Sequence, residues 1–520
     1  MKMKFIFFTL LAISFAWTME RNLLEPIPIQ NLEYKYVDSE FNSLITYEVM
    51  VESFQDGDPD RNYEQGYGTS HHSGDIRGII NALPYIKSLN VNSIWLTPIF
   101  DSDKGTSRVN PDIPADVKLD ATGYYPRDYF KIDPNFGTLD DAKELVDKAH
   151  ELGLYVIFDG VFGHSKGNVA VSPKGNKIIG KNTHHNFPES LDFVKEVVTY
   201  WIDELNIDGW RLDQAYQIPV ENLYEIRQTI SDHCANRKAE GEEWGTLGYV
   251  VGEIFDVYQK IQEKGYGTDE NPGLHSNFNF PLRYRIVQCL AGEEKKLRIP
   301  DTKVLREGIE THRVYPEFSV PNLFLTNHDV VRFGDLIQRN GLENPDHSNY
   351  WKRHKCAFAF MTAYTGPITL YYGDEIGDEL DGFVDIVDDP AEECWNKGLC
   401  DDHVSRTSGQ IDNFTKEELD LKNYVAKMMK FRSEHEALYN GKTINLVSGG
   451  NLYADLKISK NEKILFLLNI ETKKDMFVIP QKYLDCDELV DCFSDEIIIP
   501  KKGNFQLSID VLDTRFYLCK

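Results

Sequence analysis

In the stretch GWRLDQAY, Gly209 to Tyr216, a short apolar run ends on an arginine and an aspartate two residues apart. Side chains alternate along a strand, so Arg211 and Asp213 share one face while Trp210 and Leu212 share the other. A guanidinium beside a carboxylate favours its ionised form, and an ionised carboxylate can act as a nucleophile. Taken alone, such a pair is more often structural, a charge pair at a strand end. Its company along the chain changes the reading. FDGVFGH supplies Asp159 and His164, VVGEIF places Glu253 where an apolar run has no structural need of an acid, and FLTNHDVVR carries Asn327, His328, Asp329 and Arg332. Acids gathered at the same end of three strands repel one another and split their proton affinities, as happens where acid–base chemistry is done. Two carboxyl groups flanking one bond are the equipment of glycoside hydrolysis. Asp213, held by Arg211, would attack; Glu253, raised by apolar walls, would give a proton; Asp329 would stabilise an oxocarbenium-like transition state.

Bringing those residues together requires parallel strands that end on one face. From about residue 45, short β-branched runs such as ITYEVMV, VNSIWLTPIF and LYVIFDGVF alternate with longer amphipathic stretches such as DIRGIINALPYIKSLN and LDDAKELVDKAHELG. This is the signature of βαβ units. Strands are expected near residues 45, 92, 155, 207, 248, 276, 321 and 367, with the one near 276 the least marked. Eight such units predict a (β/α)8 TIM barrel over residues 30–440, with its site at the C-terminal ends of the strands. A doubly wound sheet is the competing arrangement. Long connections after the second, third and eighth strands would rise over one mouth and form a cleft. After the amphipathic stretch Leu421 to Leu438 the pattern becomes all-β, which predicts a C-terminal sandwich domain over residues 441–520.

The formal charge of −27, from 56 basic and 83 acidic residues, excludes a nucleic-acid surface and disfavours anionic membranes. Residues 1–16 place Lys2 and Lys4 before the apolar run FIFFTLLAISFAW, with Ser14 and Ala16 spaced as at a signal peptidase site. A cleaved secretory signal is therefore expected, and with it a secreted enzyme; an uncleaved anchor is the alternative. Of eight cysteines, Cys394 and Cys400 bracket one seven-residue loop and Cys486 and Cys492 another, so each pair is a candidate local disulfide in an oxidising compartment. No spacing suggests a zinc site, no organic cofactor is implied, and a monomer is the expected state. Asn413-Phe-Thr is the single N-glycosylation sequon.

These residues resemble family 13 of the glycoside hydrolases, the α-amylase family, from about residue 45 to 520. DGVFGH is similar to the family's DxVxNH, GWRLD to GxRxD, VGEIF to the catalytic-acid strand and TNHD to NHD, in the family's order; GYYPRDYFKIDPNFGT, GDIRGI, ITYEVMVESFQDGD and LYYGDEIG look like further hallmarks. The resemblance implies a retaining enzyme acting on α-glucosidic bonds of α-glucans. It makes Asp213 the nucleophile, Glu253 the general acid/base and Asp329 the transition-state stabiliser. Arg211, Asp159, His164 and His328 would bind the attacked sugar, and Tyr124 would stack on its ring. Hydrolysis of α-1,4 bonds in starch-like glucans or maltooligosaccharides leads, with transglycosylase or exo-α-glucosidase action next. A non-catalytic carbohydrate- or protein-binding barrel is the remaining class.

Some positions depart from the family pattern. Gly163 stands where an asparagine often ligates a structural calcium, Tyr216 and Gln217 where many endo-amylases read lysine–histidine, and Thr122 where a histidine is frequent. A different Ca²⁺ site is suggested by the alternating Asp56, Asp58 and Asp60 of DGDPD, together with the aspartate that Asp75 resembles. A solvated turn fits those residues equally. The acidic stretch from Asp374 to Asp402 reads as a solvated lid, with a second metal site as the alternative.

Overall fold

In the computed structural model, residues 28–62, 71–102, 122–380 and 404–520 are described; residues 1–16 of the expected signal and the Cys394–Cys400 loop lie outside them. The eight expected strands are β1 (Ile45–Val49), β2 (Ser93–Leu96), β3 (Tyr155–Gly160), β4 (Gly209–Leu212), β5 (Tyr249–Gly252), β6 (Ser276–Asn277), β7 (Leu323–Phe324) and β8 (Ile368–Tyr371). They pair in parallel, in the order β6-β5-β4-β3-β2-β1-β8-β7. A parallel bridge between Phe278 and Asn322 closes the ring, supported by Val320 N donating to His275 O at 2.7 Å and Asn322 N to Asn277 O at 3.0 Å. The strands are buried on both faces, which is why they read as unbroken apolar runs.

Helices cover the outside with their apolar stripes turned inward, and some also carry a start signal. Asp75 caps α1 (Ile76–Ser88) by accepting from Gly78 N at 2.7 Å. Thr138 and Asp141 form a capping box at the start of α2 (Leu139–Glu151). The outer layer continues with α3 (Leu191–Leu205), α4 (Val220–Glu240), α5 (Phe280–Leu290) and α6 (Ser348–Thr362). A second capping box, Thr415 with Glu418, opens α7 (Lys416–Glu434), which leads out of the barrel.

The C-terminal domain is built from antiparallel strands, chiefly β9 (Lys442–Gly449), β10 (Leu452–Ile458), β11 (Lys463–Asn469), β12 (Asp475–Pro480), β13 (Leu489–Asp491), β14 (Ile497–Ile498), β15 (Asn504–Ile509) and β16 (Asp513–Cys519). The ribbon β12–β15 packs Phe477, Ile479, Phe505 and Leu507 against Leu446, Leu465 and Leu467 of the larger sheet, so the domain is two layers deep. Leu32–Glu33 pairs antiparallel with β9, so the segment ahead of the barrel joins the far domain's sheet. A two-residue strand leaves no periodicity by which to foresee this.

The local disulfide expected between Cys486 and Cys492 is not formed; among the described residues six cysteines are free thiols. The extended strand β13 sets the two at its opposite ends. Cys486 instead neighbours Cys519, whose strand pairs with β13 at Leu489. Among the described residues no helix is long and apolar enough to cross a membrane.

Candidate active site

Strand register sets the centre of the site. Asp159, Arg211 and Val251 stand side by side on β3, β4 and β5. The next step of the ladder carries Asp213 and Glu253, their amides donating to Gly160 O at 3.1 Å and Leu212 O at 2.9 Å. Trp210 turns outward against Phe100, Phe158 and Phe162, which leaves Arg211 pointing into the barrel.

Arg211 is fully buried and organises three acids. Its Nη1 donates to Asp159 Oδ1 and Oδ2 at 3.0 and 3.1 Å and to Asp213 Oδ1 at 2.8 Å, while Nη2 lies 3.7 Å from Glu253 Oε2. Asp213 therefore has one oxygen clamped. Its other oxygen, Oδ2, has no hydrogen-bond partner among the described residues and lies 3.8 Å from His164 Nδ1. Glu253 Oε2 accepts from the amide of Gln214 at 2.8 Å, a contact that Gln214 makes by adopting a left-handed conformation with φ 39°. Burial pushes the Glu253 carboxyl up to about 7 against the pull of Arg211. Asp159 is likewise raised by burial to about 7.

On the opposite wall, His328 Nε2 lies 3.1 Å from Asp329 Oδ2 and 2.9 Å from Tyr124 Oη, and Nδ1 lies 2.6 Å from Glu48 Oε1. Arg406 donates from Nη2 to Asp329 Oδ1 at 2.9 Å and from Nε to the carbonyl of His328 at 3.0 Å. Enclosure by protein opposes ionisation of Asp329, but His328 and Arg406 more than offset it and hold the carboxyl well below the usual range. Tyr124 stacks on His328, ring centres 5.2 Å apart, and donates to Asp159 Oδ2 at 3.0 Å. His164 lies with Nε2 3.1 Å from the carbonyl of Tyr124 and Nδ1 3.2 Å from Gln217 Oε1. The eight expected site residues thus converge on one cup at the C-terminal ends of β3, β4, β5 and β7.

Four contributors were not among the expected site residues, although Glu48 interrupts the apolar run ITYEVMV and Phe255 closes VVGEIF. Trp95 donates to Asp159 at 3.2 Å and lies under Arg211; Glu48 sits inside an apolar strand; Arg406 follows a long connection; Phe255 is half exposed and stacks on Phe280 at 4.4 Å. Phe255 lines a cleft of about 410 Å³ beside Asp329, with Tyr284, Glu293, Glu294, Lys295 and Val331.

Of the four aspartates suggested for calcium, three have carboxylates that bond within the turn and to the start of α1. Asp75 Oδ2 accepts from the amides of Gly57 and Asp58 at 3.1 and 2.8 Å, and its Oδ1 caps α1. Asp58 pairs with Arg61 at 2.9 Å, and Asp56 accepts from Asn62 at 2.7 Å. Among the described residues no cluster of three His, Cys, Asp or Glu side chains could hold a metal. Asp56, Asp58 and Asp75 are engaged in the turn's own contacts, and no step is routed through calcium.

Comparison with known proteins agrees with the fold. The family model for the α-amylase catalytic domain matches residues 48–187 and 183–422. The cyclomaltodextrinase of Thermoanaerobacter pseudethanolicus is 26% identical over 481 residues, 84% of this chain and 71% of that protein. α-Amylase 3 of Dictyoglomus thermophilum is 26% identical over 494 residues, 85% of this chain and 87% of that protein. Among solved structures, AmyP in complex with maltose is 45% identical with a TM-score of 0.87, covering 92% of this chain and 97% of that one; an AmyP variant in complex with maltotriose aligns equally well. The chain belongs to the α-amylase family, and it is a glycoside hydrolase with a TIM barrel and a C-terminal β domain.

Proposed function

We propose that the chain hydrolyses α-1,4-glucosidic bonds of maltooligosaccharides or starch-like glucans with retention, through a glycosyl ester on Asp213. The observation that carries this is the asymmetry of Asp213: one oxygen is fixed by Arg211, the other has no hydrogen-bond partner among the described residues, and across the same guanidinium stands an acid held protonated to about pH 7. Asp213 Oδ2 attacks the anomeric carbon as Glu253 gives its proton to the leaving oxygen, and Glu253 then takes a proton from the water that opens the ester. Relatives named cyclomaltodextrinase and α-amylase, and the maltose and maltotriose complexes of AmyP, support the substrate class. Export is part of the same proposal and rests on the basic, then apolar, pattern of residues 2–17.

The test is proton NMR of a maltooligosaccharide digest, with Asp213→Asn and Glu253→Gln alongside. The first product is expected as the α anomer, and both variants are expected to lose about 10² to 10⁴-fold in rate. A β product, no product from wild type, or full activity in both variants would remove the mechanism. The cleft faced by Phe255 and Tyr284 favours a second reaction on the same ester, capture by a sugar that docks on the exposed aromatic face. Oligosaccharides longer than the starting substrate would mark that transfer, and Phe255→Ala should suppress them more than it suppresses hydrolysis.

A further inference from the structure

We propose that Glu48 is a positioning residue for this reaction: from β1 it keeps His328 a donor at both ring nitrogens, so that His328 can hold Asp329 and Tyr124 together. The inference rests on the proposed role of Asp329. Glu48 is fully buried between β8 and β2, a costly place for a carboxylate without a partner. Its Oε1 meets His328 Nδ1 at 2.6 Å, and its Oε2 has no hydrogen-bond partner among the described residues. A carboxylate can only accept from an imidazole that carries hydrogen on Nδ1.

The other end of the ring imposes the same demand. Tyr124 Oη gives its single proton to Asp159 Oδ2 at 3.0 Å, so toward His328 Nε2, 2.9 Å away, that oxygen can only accept. Asp329 Oδ2, 3.1 Å from Nε2, is an acceptor as well. Nε2 must therefore carry hydrogen too, and the ring is an imidazolium. A neutral ring protonated on Nδ1 would turn a lone pair on two oxygens. The charges facing this ring come from every side: Glu48 from β1, Asp329 from its own segment, Asp159 from β3, Arg211 from β4, and Arg406 over the His328 carbonyl, with Tyr124 stacked on it and Trp95 at its edge. Asp374, paired with Arg332, lies beyond Glu48. The arginines oppose a second positive charge, which leaves Glu48 and Asp329 as its direct counterions. In agreement, burial disfavours the charged ring, but Asp329 and Glu48 more than offset it and push His328 up to about 9.

The experiment follows His328 directly, by carbon NMR of histidine-labelled protein from pH 5 to 9, with the signal assigned through a His328→Gln variant. Wild type is expected to keep His328 charged through pH 8, and Glu48→Gln to lower its titration by at least a pH unit. Activity is read in parallel on α-maltosyl fluoride, whose fluoride leaves without a proton from Glu253. Glu48→Gln should then lose more kcat/KM at pH 8 than at pH 6, about twofold more if the titration falls by one unit from about 9 and about tenfold more if it falls by two. A purely structural defect would lower both alike. A neutral His328 at pH 7 in wild type overturns the proposal even if the variant does not fold, and so does an unchanged titration in a folded variant. If wild type leaves maltosyl fluoride intact, the proposed function falls, while the titration still decides the role of Glu48.

Discussion

Glu253 carries a proton where a free glutamic acid has long lost it. Burial raises it to about 7, whereas an unfolded chain releases that proton near pH 4.3. Between those values the native state binds more protons than the unfolded state, so this group makes stability fall as pH rises. Glu253→Gln cannot titrate and escapes that fall. Its melting temperature relative to wild type is therefore expected to be higher at pH 8 than at pH 5; an equal difference at both would show that Glu253 does not titrate in this window. Asp159 shares the guanidinium and is also raised to about 7, so the slope measured belongs to the pair. Two of the residues that depart from the family pattern, Gly163 and Gln217, prove to be one feature. A Cβ on Gly163 would stand 2.1 Å from Gln217 Oε1 and 2.6 Å from Gln217 Cβ, and Gln217 is the side chain that meets His164. Gly163→Ala should push Gln217 off His164 and cost activity, and Gly163→Ala combined with Gln217→Gly should recover part of the loss. Additive losses would mean the two sites are independent.

At the scale of the element, the barrel was legible because each buried parallel strand reads as an apolar run, and its acids stood out by interrupting or ending those runs. β6 and β7 are two residues each, and the ring closes there through an isolated bridge and loop amides, which leave only a faint pattern. Arg406 was invisible for another reason: its place depends on tertiary contacts of the segment that returns after β8. Tyr371 Oη donates to Ser405 O at 2.9 Å, Tyr372 Oη to Thr407 O at 2.6 Å, Arg332 Nη2 to Thr407 Oγ1 at 3.1 Å, and Gly409 N to Ser53 O at 3.0 Å. This lacing carries Arg406 to Asp329, in a direction no periodicity encodes. A charged donor on a carboxylate that must face a developing cation fixes its orientation before the reaction begins. Arg406→Ala is expected to lower kcat by about 10²-fold with little change in KM, the mark of an interaction realised in the transition state. A change confined to KM would instead place Arg406 in ground-state sugar binding.

At the scale of the molecule, the two domains share a core. Tyr453, Ile464, Phe466, Leu468 and Phe516 of the C-terminal sheet belong to the same buried cluster as the barrel's side chains, and α7 lays Leu421, Val425, Met428 and Met429 into it. Chains of this length usually unfold in parts, but a common core makes separation of the domains expose apolar surface on both. Arg432, at the end of α7, ties this helix, which leads to the C-terminal domain, back onto the barrel. It is fully buried and donates to the carbonyls of Thr362 at 2.9 Å and Tyr364 at 2.6 Å, with further bonds to Met361, Gly366 and, across the barrel's first turn, Asn42. Replacing it by methionine keeps most of the apolar stem and removes the donors, leaving several carbonyls without partners at roughly 1–3 kcal/mol each. Calorimetry should show one cooperative transition in wild type, moved down by several degrees in Arg432→Met without splitting. Two separate wild-type transitions would refute the shared core, and an unshifted variant would refute the role of Arg432 in anchoring α7 to the barrel.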